Sequence, residues 1–137
     1  MFVVGHSAGG HLALWVGQRD DPVVVPQLVV GQAPVADLAG SLDLGRCAVE
    51  GFMGGTPEQI PEAYDDADPA RRLPVKVPQL IVHGLRDDDV PFEGVAPYIA
   101  AAGDGIDTLI FEDEGHYDVI DPAAPSWEAT LAYLAGI

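Results

Sequence analysis

Ten residues at the start of the chain, "MFVVGHSAGG", restrict its fold more than any other feature. A continuous apolar run ending in glycine fits a strand buried on both faces. The residues after it change to helical spacing, with Leu12, Trp15, Val16 and Arg19 three and four apart. Between them lies Gly5-His6-Ser7-Ala8-Gly9. A serine on a sharp strand-to-helix turn sits in strained backbone, and the small residues Gly5, Ala8, Gly9 and Gly10 are expected to keep strand and helix from colliding. Such a turn lifts the Ser7 hydroxyl above the sheet edge. It also leaves the Ala8 amide at a helix N-terminus, where a developing oxyanion is stabilised.

The rest of the chain repeats the alternation. Strands are expected in "PQLVVGQAP", "VPQLIVHG" and "IDTLIFED", and helices from Ala8 to about Arg19, in "PFEGVAPYIAAAG" and in "PSWEATLAYLAGI". Asp37 to Pro78 is broken by Gly and Pro, with short helices expected around Leu42–Met53 and from Pro57 to Tyr64. The second has Thr56 at an N-cap position, Pro57 at the first helical position and Gln59 completing a capping pattern. Strands that alternate with helices pair in parallel, because parallel neighbours need crossover connections. The expected fold is α/β, with a predominantly parallel sheet of about four strands flanked by helices.

Composition removes several function classes. The 22 acidic residues against 6 basic ones give a net charge of −16. Nucleic acid and anionic membrane are therefore not expected partners, since both need clustered Lys and Arg. No apolar run reaches the roughly 18 to 20 residues of a membrane span, and no leader pattern is present, so a cytoplasmic location is the expectation. Cys47, the single cysteine, cannot form an internal disulfide and lacks a zinc-type partner at short spacing. It is read as a small buried apolar side chain, and no metal or cofactor is expected.

A serine nucleophile needs a base, and the base needs an orienting acid. Of the four histidines, His6 lies inside the turn and is read as structural. His11, one turn into the helix, suits packing or the surface, and His83 suits a satisfied strand end. His116, in "EDEGHYDVIDP", belongs to a loop after the last strand and can reach across the C-terminal sheet edge. Acid candidates follow the third strand as Asp87-Asp88-Asp89 in "HGLRDDDVP", of which a turn-forming role explains two.

Together "GHSAGGHLALW", "HGLRDDDVP" and "GHYDVIDP" resemble, in order, the C-terminal half of an α/β-hydrolase of the single-domain esterase/lipase type, related to prolyl-oligopeptidase catalytic domains. The resemblance implies Ser7 as nucleophile, His116 as general base and then acid, Asp87 as its orienter, and the Ala8 amide as one oxyanion donor. The implied reaction cleaves a carboxylic ester or related acyl bond of a small-molecule substrate through an acyl-enzyme. It also implies that residues 1–137 form one partial domain, without the family's earlier strands and its His-Gly-Gly-type loop. Residues 1–4 would then be an open edge, suited to pairing with a second copy. Three readings follow: a hydrolase completed by a further N-terminal portion or a partner chain, a truncated and catalytically impaired chain, or a non-enzymatic module that associates through this edge. Leu42, Leu44, Phe52 and Met53 are candidates either for an apolar pocket wall or for core.

Overall fold

A computed structural model describes residues 1–45 and 47–137. Its centre is one four-stranded parallel sheet built from β1 (Phe2–His6), β2 (Leu28–Gln32), β3 (Gln79–Gly84) and β4 (Ile106–Phe111). The spatial order β1-β2-β3-β4 follows the chain. Every pair is parallel, with Gly5 opposite Gly31, Val30 opposite Leu80 and Val82 opposite Leu109. All residues of β2 and β3 are buried, as expected of strands covered on both faces.

Alternation along the strands divides the core into two layers. Val29 and Ile81 face α1 (Ala8–Gly17) and α4 (Phe92–Ala102), joining Ala13, Leu14, Val95 and Tyr98. On the opposite face Leu28, Val30, Leu80 and Val82 pack with Val119 and with Tyr133 and Leu134 of the last helix, Pro125–Ala135. That helix makes its contacts at β3 and β4. Phe2 and Val4 of β1 remain exposed, while Val3 packs into the first layer.

Two further helices, α2 (Ala48–Met53) and α3 (Pro61–Ala67), lie between β2 and β3, and Pro125–Ala135 is thus α5. The second short helix starts at Pro61, not Pro57. The capping pattern does form, with the Thr56 amide donating to Gln59 Oε1 at 2.9 Å, but it closes only a turn. Pro61 excludes the helical conformation at the residue before it, and Ile60 accordingly sits at φ −135°, ψ 58°. A new helix then begins with Pro61 in its first turn, where a missing N–H costs nothing.

Cys47 is exposed, contrary to its reading as a buried apolar side chain. It occupies a left-handed turn at φ 65° immediately before the six-residue α2, on the outer side of the β2–β3 connection. Among the described residues no helix is long and apolar enough to cross a membrane, and no group of three His, Cys, Asp or Glu is placed to hold a metal ion.

Candidate active site

The C-terminal ends of the strands share one edge of a parallel sheet, and each contributes a functional group there. Ser7 lies between β1 and α1 at φ 56°, ψ −121°, a conformation that L-residues with side chains seldom adopt. The turn is held by the Ser7 amide, which donates to the Gln32 carbonyl at 2.9 Å, and by the Ser7 carbonyl, which accepts from the His11 amide at 3.0 Å. The Ala8 amide heads α1 and donates to no backbone carbonyl among the described residues, so it is free to meet a ligand oxygen.

Glycine has unequal importance across this turn. A Cβ on Gly5 would lie 2.0 Å from the Gly9 carbonyl oxygen, and one on Gly10 would lie 2.8 Å from Pro34 Cβ. A Cβ on Gly9 would meet nothing within 4 Å. Of the small residues expected to relieve crowding, Gly5 and Gly10 therefore do so, whereas Gly9 is exposed and does not.

Asp87 and His116 come together as the sequence suggests. His116 Nδ1 is 2.7 Å from Asp87 Oδ2, and both side chains are almost wholly buried. The other carboxylate oxygen accepts the amides of Asp89 at 3.0 Å and Val90 at 2.7 Å. Those bonds fix the turn and leave Oδ2 for the imidazole. Asp88 and Asp89 are exposed. An imidazole whose Nδ1–H is held by a carboxylate presents an unprotonated Nε2, the proton-accepting form.

Ser7 and His116 line one cavity of about 340 Å³. Among the described residues the Ser7 hydroxyl makes no hydrogen bond to His116, and such contacts commonly tighten only around a bound substrate. The cavity wall is mostly apolar and includes Val35, Leu38, Leu44, Val49 and Phe52. Leu44 and Phe52 thus belong to the wall, whereas Leu42 and Met53 pack against the Leu38, Val49 and Tyr64 cluster.

This wall is anchored by a buried carboxylate. Asp68 accepts the amides of Leu38 and Ala39, each at 3.0 Å, and that of Ala70 at 3.1 Å. Burial raises its pKa above the ordinary aspartate value, against those hydrogen bonds. Next to it, His11 donates from Nε2 to the Ala67 carbonyl at 2.8 Å. His11 is buried and lines the cavity, so of its two expected placements packing is the observed one.

The loop carrying His116 is tied to all three preceding strand ends. His6 Nε2 donates to the His116 carbonyl at 2.8 Å, Gln32 Nε2 to the Val119 carbonyl at 2.7 Å, and the Arg86 amide to the Glu114 carbonyl at 2.8 Å. Glu114 Oε1 also accepts the Ser126 amide at the start of α5, at 3.0 Å. Glu114 and Gln32 carry no sequence signal beyond being polar residues next to strand ends. His83 is fully buried and only half satisfied, since Nε2 donates to the Val90 carbonyl at 2.9 Å while Nδ1 has no partner among the described residues. Burial lowers its pKa and keeps the ring neutral, even though Asp87 Oδ2 is 3.6 Å away.

Comparison with known proteins agrees with this architecture. The chain is 33% identical to a puromycin hydrolase of known structure, with a TM-score of 0.65, over 84% of this chain and 18% of that one. It superposes on dipeptidyl peptidase 4 of Porphyromonas gingivalis with a TM-score of 0.77 and 22% identity, over 97% of this chain and 19% of the other. An esterase of the planctomycete Thermogutta terrifontis gives a TM-score of 0.69 and 21% identity, over 98% and 53%. The latter two show the fold alone. The chain therefore spans about a fifth of the puromycin hydrolase and of the dipeptidyl peptidase, and about half of the esterase. No curated protein sequence matches it. The model of the prolyl oligopeptidase family matches residues 1–133, nearly the whole chain and every strand end that carries a site residue, and the chain belongs to that family of α/β-hydrolases.

Proposed function

We propose that the chain carries the catalytic triad of a serine hydrolase, with Ser7 as nucleophile, His116 as general base and then acid, and Asp87 as the acid that orients it. The observation that carries this reading is the 2.7 Å contact between His116 Nδ1 and Asp87 Oδ2, in a cavity that Ser7 shares with His116. Ser7 Oγ attacks an acyl carbonyl while its proton passes to His116 Nε2. The Ala8 amide stabilises the resulting oxyanion. Collapse breaks the bond to the leaving alkoxide or amine, which takes the proton from His116, and water hydrolyses the acyl-Ser7 ester by the reverse sequence. Asp87 stays ionised throughout.

The substrate proposed is a small molecule bearing an apolar acyl or side-chain group, to match a cavity walled by Val35, Leu38, Leu44, Val49 and Phe52. Between ester and peptide cleavage we favour the ester, because the wall is mostly apolar and an acyl group can be seated against it without further polar recognition. Residues 1–137 are proposed to be part of one α/β-hydrolase domain, in keeping with the share of the esterase that they cover. The test is incubation with a fluorophosphonate and mapping of the adduct by mass spectrometry. Labelling at Ser7, abolished in Ser7→Ala, is expected. Labelling elsewhere, or undiminished labelling of Ser7→Ala, refutes the assignment.

A further inference from the structure

His6 is adjacent in sequence to Ser7 and, in space, touches His116 twice. Its Nε2 lies 2.8 Å from the His116 carbonyl oxygen. Because a carbonyl only accepts, Nε2 carries the proton. Its ring also packs on that of His116, with centroids 4.5 Å apart and planes tilted by 48°. Tyr117 closes the group, its ring 5.8 Å from His6 and 5.1 Å from His116. The remaining ties on this loop end at Glu114 and Val119, on either side of the histidine. At His116 itself Asp87 holds the ring through Nδ1, and the tie to its backbone carbonyl is the one made by the neighbour of Ser7.

We infer that His6 is a positioning residue that sets the placement of His116 relative to Ser7. This rests on the triad proposed above. The argument is geometric. His6 ends β1, opposite Gln32, so its backbone is fixed by the sheet, and the next residue is Ser7 in its strained turn. A side chain on that anchor, bonded to the backbone of His116, links the two reacting residues through one short path. Without it, the loop would still be held at its flanks and the ring at Asp87, but the His116 backbone would lose its anchor and the ring could pivot about the Asp87 bond along Tyr117. Displacements of about 1 Å in a reacting pair can cost on the order of 10² in rate.

Two variants separate donor from ring. His6→Phe keeps an aromatic surface against His116 and removes the N–H. His6→Gln loses the ring but can place an amide N–H near the position of Nε2. The first measurement is the rate of Ser7 labelling by a fluorophosphonate. His6→Phe should be slower by about ten-fold or more and His6→Gln within about three-fold of wild type. Thermal midpoints of the two variants should be similar. The second measurement is independent of reactivity: the exchange broadening of the His116 Nδ1 proton in the NMR spectrum. His6→Phe should broaden it, and His6→Gln should restore it. If wild type itself fails to label at Ser7, the nucleophile assignment fails while the NMR comparison still tests His6. If His6→Phe matches wild type in both measurements, or if both variants lose rate only in proportion to lost stability, the positioning role is refuted.

Discussion

The three glycines around Ser7 should respond very differently to the addition of one methyl group. In Gly5→Ala the new Cβ would sit 2.0 Å from the Gly9 carbonyl oxygen and 2.4 Å from its carbon. Restoring ordinary contact requires α1 to move by roughly 1 Å, because both atoms are helix backbone and no rotamer relieves the overlap. Overpacking of this kind costs about 1–3 kcal/mol, and a rigid backbone neighbour puts Gly5→Ala at or above the upper end. Gly10→Ala meets Pro34 Cβ at 2.8 Å and Pro34 Cα at 2.9 Å, an overlap of a few tenths of an ångström, and should lose about 1–2 kcal/mol. Gly9→Ala meets nothing and lies in an exposed turn of helix. There the reduced freedom of the unfolded chain should stabilise by up to about 1 kcal/mol. Thermal unfolding followed by circular dichroism ranks the three, with expected order Gly9→Ala at or above wild type, then Gly10→Ala, then Gly5→Ala. Fluorophosphonate labelling of folded protein should follow the same order, because the 1 Å shift carries Ser7 with it. If Gly9→Ala is as damaging as Gly10→Ala, the packing account of the turn is wrong.

Three other outcomes are expected. Asp87→Asn should lower Ser7 reactivity by about 10⁴, through loss of the imidazole tautomer, while exposed Asp88→Asn stays near wild type; comparison of labelling rates decides it, and a reversed pattern refutes the role of Asp87. Burial lowers the pKa of His83 below the ordinary histidine value of about 6.5, so above that pH its neutral form is fully accommodated. As pH falls below 6.5 the unfolded chain takes up the proton first, and stability falls by at most about 1.4 kcal/mol per pH unit. His83→Gln, which retains a donor for the Val90 carbonyl, should flatten that slope in urea titrations between pH 5 and 7, and an unchanged slope would sink the explanation. Finally, β1 is an edge strand with Phe2 and Val4 exposed, and we propose that two copies pair there. Light scattering should show mass increasing with concentration and Val4→Lys suppressing it; a monomer at all concentrations overturns the proposal.

Most of the framework is legible in the residues because its signals are local. Buried parallel strands are continuous apolar runs, so "LVVGQ" and "QLIVHG" announce themselves, and β2 and β3 fall inside the expected stretches. His116 and the Asp87–Asp89 run stand out as candidates because loops after strand ends converge in any parallel sheet, and the resemblance to α/β-hydrolases is what singles out Asp87 among the three. What escapes is decided between distant segments. Cys47 looks apolar by type, yet its burial depends on which way an irregular connection turns. Gly9 and Gly10 are indistinguishable in sequence, and only the approach of Pro34 separates them. His6 reads as structural from the sequence, but its acceptor lies 110 positions away, and no local pattern encodes that distance. Pro61 is the exception: its backbone effect is local, and it overrides the Thr56 capping pattern.

Because the sheet is laid down in chain order, each strand finds its neighbour already made as the polypeptide emerges from the ribosome. On the proposed reading, the nucleophile is synthesised before the orienting acid, and the base after both. The strap from Glu114 to α5 comes later still. A nascent chain would therefore display a serine with no partner able to take its proton until the His116 loop has emerged and docked. Reactivity would arrive only then, and a reactive-serine probe applied to stalled nascent chains would serve as a clock for completion of the site.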